Sequence, residues 1–325
     1  MKISKNSWTF LLWTVVLCMM PLIVSSDYSR HLCINALIYI LLAQGLNICL
    51  GYCGQMSLGQ AGFYAIGGYI FAILTTKLGF SWWGTTLVAV IVTTLIGFLL
   101  AVISMKSRGS AFIIISILFA RVVRLIALNW TDMTNGQAGI LNIPGMTFFG
   151  NQLTSKLATY YYVLAFVVVI QFITERIINS KLGRGFIAVK QNETLAASLG
   201  ISPYHYSIIA FTIGVAFSAL AGCLHASYVQ MVSPEMADFN NVMLYIIMMV
   251  VIGGRGTLWG PVIGAFIFTF LPEYLRFTDM LRMTIFGLLV ILLVLFIPDG
   301  LIPTFKKIIR EKKVFRMRKS TKGVQ

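Results

Sequence analysis

The sequence predicts an all-α polytopic membrane protein of about ten transmembrane helices. Composition is the first observation behind this. The chain has 325 residues, 58% hydrophobic and 11% charged, with mean hydropathy +0.87. A soluble domain carries roughly 25% charged residues. Run length is the second. Many apolar stretches approach or exceed the ~20 residues needed to cross ~30 Å of hydrocarbon, which excludes a large soluble α/β protein with buried strands. The third is where the basic residues fall. They lie between the apolar stretches and in the C-terminal tail, so the net charge of +15 reflects topology and not nucleic-acid binding.

Taken in order, the spans read as 9–26, 32–50, 55–76, 83–105, 110–129, 159–179, 205–230, 240–254, 260–276 and 282–298. The first resembles a secretory signal, with Lys2 and Lys5 before an apolar core and Ser25 and Ser26 after it. We read it as a retained span, because the topology needs it. The chain then divides into an N-terminal span (1–31), a membrane core (32–300) and a basic tail (301–325).

Alternating the spans from a cytoplasmic N-terminus puts 18 Lys/Arg inside and 5 outside, with Arg121 and Arg124 inside a span. The positive-inside rule favours this arrangement, with both termini cytoplasmic. The tail carries nine basic residues from Lys306 to Lys322 and reads as an anchor attracted to anionic lipid, about 1 kcal/mol per basic residue. Trp8, Trp13, Trp82, Trp83 and Trp130 lie near span ends, where an interfacial aromatic belt accounts for them.

The third span begins in an unusual way. In Gly51–Tyr69, GYCGQMSLGQAGFYAIGGY, six of nineteen residues are Gly and three are Gln or Ser. Lipid offers no partner for a bare backbone amide, so such a segment must be surrounded by protein or line a water-filled cavity. A second glycine-interrupted segment, GGRGTLWGPVIGAFI, covers residues 253–267. A pair of this kind points to a translocation path and to an internal, inverted repeat. Phe63, Tyr64 and Tyr69 either line an apolar pocket or pack between helices, while Gly67 and Gly68 permit close helix approach.

No catalytic set is evident. The histidines are His31, His205 and His225, and no span holds paired carboxylates. The chain lacks a GxxxxGK[ST] phosphate loop, so any ATP is bound by another subunit. Cys18, Cys33, Cys49, Cys53 and Cys223 lie in apolar segments without acidic or His companions and read as packing residues. The spans lack the buried acids that relay protons or coordinate sodium, which disfavours an ion-coupled carrier. A stand-alone channel remains an alternative, and a membrane enzyme is disfavoured by the missing nucleophiles.

The connection 180–204, SKLGRGFIAVKQNETLAASLGISPY, alternates apolar and polar residues at helical spacing. Asn192 can cap a short helix from Glu193, Gly200 can end it, and Pro203 opens the next span. A short amphipathic helix here rests either on the lipid interface or in a groove of a partner.

Several segments, in order, resemble one family. Glu193-x-x-Ala196-Ala197-x-x-Gly200-Ile201 resembles the coupling loop of bacterial ABC importer permeases, and GRGFIAVKQNETLAASLGI that of the branched-chain amino acid permeases. GYCGQMSLGQAGFYAIGGY is similar to that family's glycine-rich motif. Asn129-Trp130-Thr131, Thr134-Asn135-Gly136 and Gly139-Ile140 are similar to its external loop, and MVVIGGRGTLWGPVIGA to its C-terminal motif. The resemblance covers residues 32–300 and is to the LivM-type subunit, which has the longer N-terminus.

The resemblance implies a type II ABC importer-like permease in a bacterial cytoplasmic membrane. Its implied partners are a second, LivH-type permease subunit, two ATP-binding subunits and an extracytoplasmic substrate-binding protein. No cofactor is bound by this chain; ATP and Mg belong to the partners. The implied cargo is Leu, Ile or Val, with urea, short amides or other amino acids as the alternative. Arg184, Glu193, Ala196, Ala197 and Gly200 are the candidates for coupling to the ATPase. Gly54, Gln55, Ser57, Gly59, Gln60, Phe63, Arg121, Gly253 and Gly254 are the candidates for the translocation path.

One position departs from the family. Where it commonly has an acidic residue, this chain has Arg121, one helical turn before Arg124. A charge at a span centre costs ~2.5–3.5 kcal/mol on insertion scales. Either the arginines are satisfied locally, Arg124 by snorkelling or by pairing with a carbonyl, or they form a cationic site suited to a substrate carboxylate.

Overall fold

A computed structural model describes residues 13–21, 26–106, 109–148 and 151–274, with 287–288, 295, 300–304 and 307. The expected span 282–298 and the basic tail lie almost wholly outside these residues, as does Trp8. Helices dominate. α1 covers residues 13–21, α2 Asp27–Leu46, α3 Gln60–Thr76, α4 Trp82–Ser104 and α5 Ser110–Asn129. A single turn, α6 (Thr131–Thr134), precedes α7 (Lys156–Asn179), α8 (Lys181–Gln191) and α9 (Glu193–Ser198). α10 (Pro203–Val229), α11 (Leu244–Gly254) and α12 (Gly260–Tyr274) follow.

Five helical stretches are long and apolar enough to cross a membrane: Asp27–Tyr52, Trp82–Ser104, Ser110–Asn129, Lys156–Asn179 and Pro203–Val229. Phe239–Gly254 and Gly260–Glu273 are shorter and apolar. α3 is one continuous helix of 17 residues, about 25 Å long at 1.5 Å per residue. The stretch 51–69 therefore does not double back within the helix; its irregular part is confined to residues 53–59.

α10 is the centre of the bundle and packs against α2, α3 and α4; α2 also meets α7, α11 and α12. Small residues let these backbones approach, as expected where no hydrophobic force joins helices in lipid. Gly45 of α2 faces Gly214 of α10, each so close that an added Cβ would lie 2.5 Å from the other's carbonyl oxygen. On α3, Gly67 abuts Ala219, and Tyr64 packs its carbonyl onto Gly222. α4 turns the stripe Thr86, Ala89, Thr93, Gly97, Ala101 and Ser104 inward and leaves Leu87, Ile91, Leu95, Phe98 and Ile103 exposed. α5 buries Phe112, Ser116, Ala120, Val123 and Ala127 and exposes Ile114, Leu118, Val122 and Leu125.

At one end of the bundle, residues 130–155 fold over the helices. β1 (Ile140–Leu141) pairs antiparallel with β4 (Met231–Val232), which stitches this loop to the end of α10. β2 (Thr147–Phe148) and β3 (Asn151–Gln152) make a second ribbon. α8 and α9 lie at the opposite end.

One expectation is corrected here. Trp82 is not an interfacial residue: it is buried, and its indole N–H donates to Ser227 Oγ at 2.8 Å, which satisfies the one polar atom that would favour a wet belt. Trp83 and Trp130 are half-exposed. The two glycine-interrupted segments meet: Gly51 packs directly on Gly256, and Lys190 lies against both Gly54 and Gly256.

Candidate functional site: the junction of α9 with the two glycine segments

α9 forms as its sequence predicts. Asn192 leaves helical geometry, with φ −163° and ψ 110°, and its Oδ1 accepts from Leu195 N at 3.0 Å. Ser180 caps α8 in the same way, accepting from Leu182 N. Gly200 ends the unit at φ +81°, a conformation costly for any residue with a Cβ. Pro203 opens α10. Ala196 is the inward contact of α9, while Ala197, Leu195 and Leu199 face outward, the two leucines 59% and 72% exposed. Arg184 is exposed on α8 and donates to Asn179 O at 3.4 Å.

Glu193 faces the other way. Its Oε1 accepts from Gln55 Nε2 at 2.9 Å, a contact between residues 138 positions apart. Lys190, three residues earlier, donates to the carbonyl oxygen of Gly51 at 2.5 Å. Gly54 adopts φ +80°, and an added Cβ there would lie 3.1 Å from the Lys190 side chain. Burial, and then the charge of Arg255, lowers the Lys190 ammonium pKa from its ordinary value. The helix pair thus grips the turn 51–55 at two points.

That turn is joined to the second glycine segment. After α2 the helix widens into a π turn, Asn47–Tyr52. Asn47 Oδ1 accepts from Gly256 N, and its Nδ2 donates to Thr257 O, both at 2.9 Å. Gln44 and Gln171 each donate to Leu258 O at 2.7 Å, and Gln44 also donates to Gln171. Three buried amides, from α2, the π turn and α7, therefore hold the loop between α11 and α12. Sequence reasoning passed over Gln44, Asn47 and Gln171. The signal was present: each interrupts an otherwise apolar run, and a polar group at such depth needs a partner.

The candidate path residues separate into two groups. Gly54 and Gln55 lie at the junction and are open to solvent to some degree; Gly253 and Gly254 are buried beside it, with Gly253 against Gly260. Ser57, Gly59, Gln60 and Phe63 are covered by neighbouring helices in this conformation. Gly59 abuts Ser116 of α5, and Gln60 Oε1 accepts from Ser218 Oγ at 2.7 Å. Phe63 stacks on Phe119 with centroids 4.7 Å apart and meets Phe211 edge-on. It packs between helices, as do Tyr64 and Tyr69.

Arg121 stands apart from this junction. Its Nη1 lies 3.4 Å from Asp238 Oδ1, and Arg124 Nη1 lies 3.5 Å from the same oxygen. The other carboxylate oxygen, Oδ2, accepts from the backbone N–H of Asn240 and Asn241 and so caps the helical turn that leads into α11. Both arginines thus share one carboxylate, and neither of the local solutions suggested for Arg124, snorkelling or a carbonyl, is what the structure holds.

Comparisons with known proteins agree with this architecture. Residues 31–297 match the family described as branched-chain amino acid transport system / permease component. The LivM permease protein of the high-affinity branched-chain amino acid transport system of Salmonella typhimurium is 32% identical over 306 residues, 87% of this chain and 72% of that protein. The Escherichia coli LivM protein is 32% identical over 290 residues, 82% and 68% of the two chains. The Salmonella typhimurium LivH protein is 22% identical over 252 residues, 70% and 79% of the two. No solved structure matches. On the family match and on the identity to the LivM proteins, this chain belongs to the permease components of branched-chain amino acid transport systems.

Proposed function

We propose that this chain is the membrane-spanning subunit of an ATP-driven importer that carries Leu, Ile or Val across a bacterial cytoplasmic membrane. It works beside a second, LivH-type permease, two ATP-binding subunits that hold ATP and Mg, and an extracytoplasmic binding protein that delivers the amino acid. α9 is the element that seats in the ATPase, with the termini on the same, cytoplasmic side, as the basic residues favour. The bond from Glu193 to Gln55 carries this reading. It connects an exposed helix with two outward leucines to the polar glycine turn that opens α3, so closure of the ATP-binding pair pulls on the turn. Arg184 and Ala197 flank the seating face, Ala196 anchors the helix to its own chain, and Gly200 sets its exit.

The chain performs no bond chemistry. A zwitterion with a short aliphatic side chain needs exposed amides and carbonyls along its way, and the turn around Gly54–Gln55 offers them. Uptake of radiolabelled Leu, Ile, Val and urea in a deletion strain, with and without this chain restored, tests the cargo. Unchanged leucine uptake after deletion would rule the amino-acid assignment out. Leu199→Asp should abolish co-purification of the ATP-binding subunits while leaving membrane insertion intact.

A further inference from the structure

Among the described residues the arginine pair on α5 shares a single carboxylate. Arg121 and Arg124 both point Nη1 at the same oxygen of Asp238. Two guanidinium groups and one carboxylate leave one positive charge in excess. Asp238 has little left to give, because its second oxygen accepts two backbone N–H groups. Arg124 Nε is buried and has no hydrogen-bond partner among the described residues. The Arg121 side chain remains 42% exposed, whereas that of Asp238 is 8% exposed. A guanidinium presents five donors in a fixed fork that fits a carboxylate bidentately, and among the described residues each fork here engages Asp238 through Nη1 alone.

The surface beside the Arg121 fork is aliphatic. Leu118, Val122 and Leu125, one turn before, beside and one turn after Arg121, are 57%, 51% and 56% exposed. A cationic fork set in a patch of branched side chains matches one kind of small molecule: a carboxylate carrying a short aliphatic chain.

We propose that Arg121 and Arg124 form a binding site for the α-carboxylate of the transported amino acid, with Asp238 as the resting partner that the substrate joins or displaces. A second carboxylate completes a neutral cluster of two cations and two anions, and Leu118, Val122 and Leu125 receive the aliphatic side chain. This rests on the amino-acid cargo proposed above.

The test uses the assembled transporter in lipid vesicles and phenylglyoxal, an arginine-selective reagent, with modification at Arg121 read by mass spectrometry. Leucine should slow modification about tenfold, while leucinamide, which lacks the carboxylate, should leave it unchanged. In Asp238→Asn the vacated pair should bind leucine more tightly, lowering the half-protecting concentration about fivefold. Arg121→Gln should reduce leucine transport about tenfold, and Arg121→Lys should restore part of it. Equal or absent protection by leucine and leucinamide, with leucine transport intact, would overturn the site and leave the cargo standing. Protection that follows anionic lipid content would overturn it in favour of a phospholipid headgroup. Protection that follows assembly with the second permease would overturn it in favour of a protein partner. A wild-type transporter that moves no leucine would remove the cargo and the site together.

Discussion

Replacing Gln55 with Ala removes the amide that joins the glycine turn to Glu193 and leaves α9 itself untouched. The lost bond is 2.9 Å long, accepted by a carboxylate and partly buried. Hydrogen bonds to charged groups contribute about 1.5–3 kcal/mol, and partial exposure reduces this one to about 1–2 kcal/mol. Lys190 still holds Gly51, so the turn is loosened and not released. If Glu193 transmits the movement of α9 through this bond, about 1–2 kcal/mol corresponds to a 5- to 30-fold loss in the population that follows it. The assay is leucine uptake and ATP hydrolysis measured together in vesicles holding the complete transporter. Uptake per ATP hydrolysed should fall 5- to 30-fold, while hydrolysis and co-purification of the ATP-binding subunits stay near wild type. Glu193→Ala should give the same loss, and the double variant no further loss, since the two residues act through one bond. An unchanged ratio of uptake to hydrolysis in Gln55→Ala would refute the reasoning.

Other outcomes follow from single contacts. Asn192→Ala removes the cap of α9 and should cost about 1 kcal/mol of local helix stability, seen as roughly fivefold faster amide exchange across residues 193–198. Gly222→Val would drive its Cβ to 2.0 Å from Tyr64 O; the forced separation of α3 and α10 should cost about 1–3 kcal/mol or more, read as a lower melting temperature of the detergent-solubilised chain. Asn47→Leu leaves Gly256 N and Thr257 O without their partner, a cost of about 1–3 kcal/mol, and should make a cysteine placed at Thr257 react faster with a water-soluble maleimide.

What the sequence made legible is what local physics decides. The span 110–129 coincides with α5 because an apolar run bounded by Gly109 and the segment Asn129–Trp130–Thr131 leaves little freedom in its ends. α9 was legible because a cap, a short amphipathic turn and a terminating glycine are all encoded within nine residues, 192–200. The glycine stretch was legible as an anomaly but not as a contact. That Gly59 would meet Ser116 and Gly67 would meet Ala219 depends on the rotation of α3 against α5 and α10, which no periodicity reports. The partner of Arg121 lies 117 positions away, in the connection between the expected spans 205–230 and 240–254. Trp82 failed for the same reason: a tryptophan at a span end faces lipid or a neighbouring helix according to the turn of that helix, and here it faces Ser227.

The two ends of the molecule are connected through α3. The turn held by Glu193 and Lys190 leads through residues 56–59 into its first turn. Gly59, which precedes α3, and Gly62, in its first turn, sit directly on Ser116 and Ala120 of α5. Contact this close transmits displacement, because a dense interior does not absorb it. Arg121 and Arg124 follow immediately on α5, whereas Asp238 belongs to the turn that starts the helix α11. If α9 takes up the proposed ATP-driven step, a pull on Gln55 would reach the arginines on α5 through α3, which also packs against the turns on either side of Asp238. The consequence is measurable: nucleotide should alter the phenylglyoxal reactivity of Arg121 in the wild-type transporter, and Gln55→Ala should abolish that dependence without changing the reactivity in the absence of nucleotide. If nucleotide dependence survives the Gln55 change in full, α3 is not the connection, and the route to α5 must run through another helix.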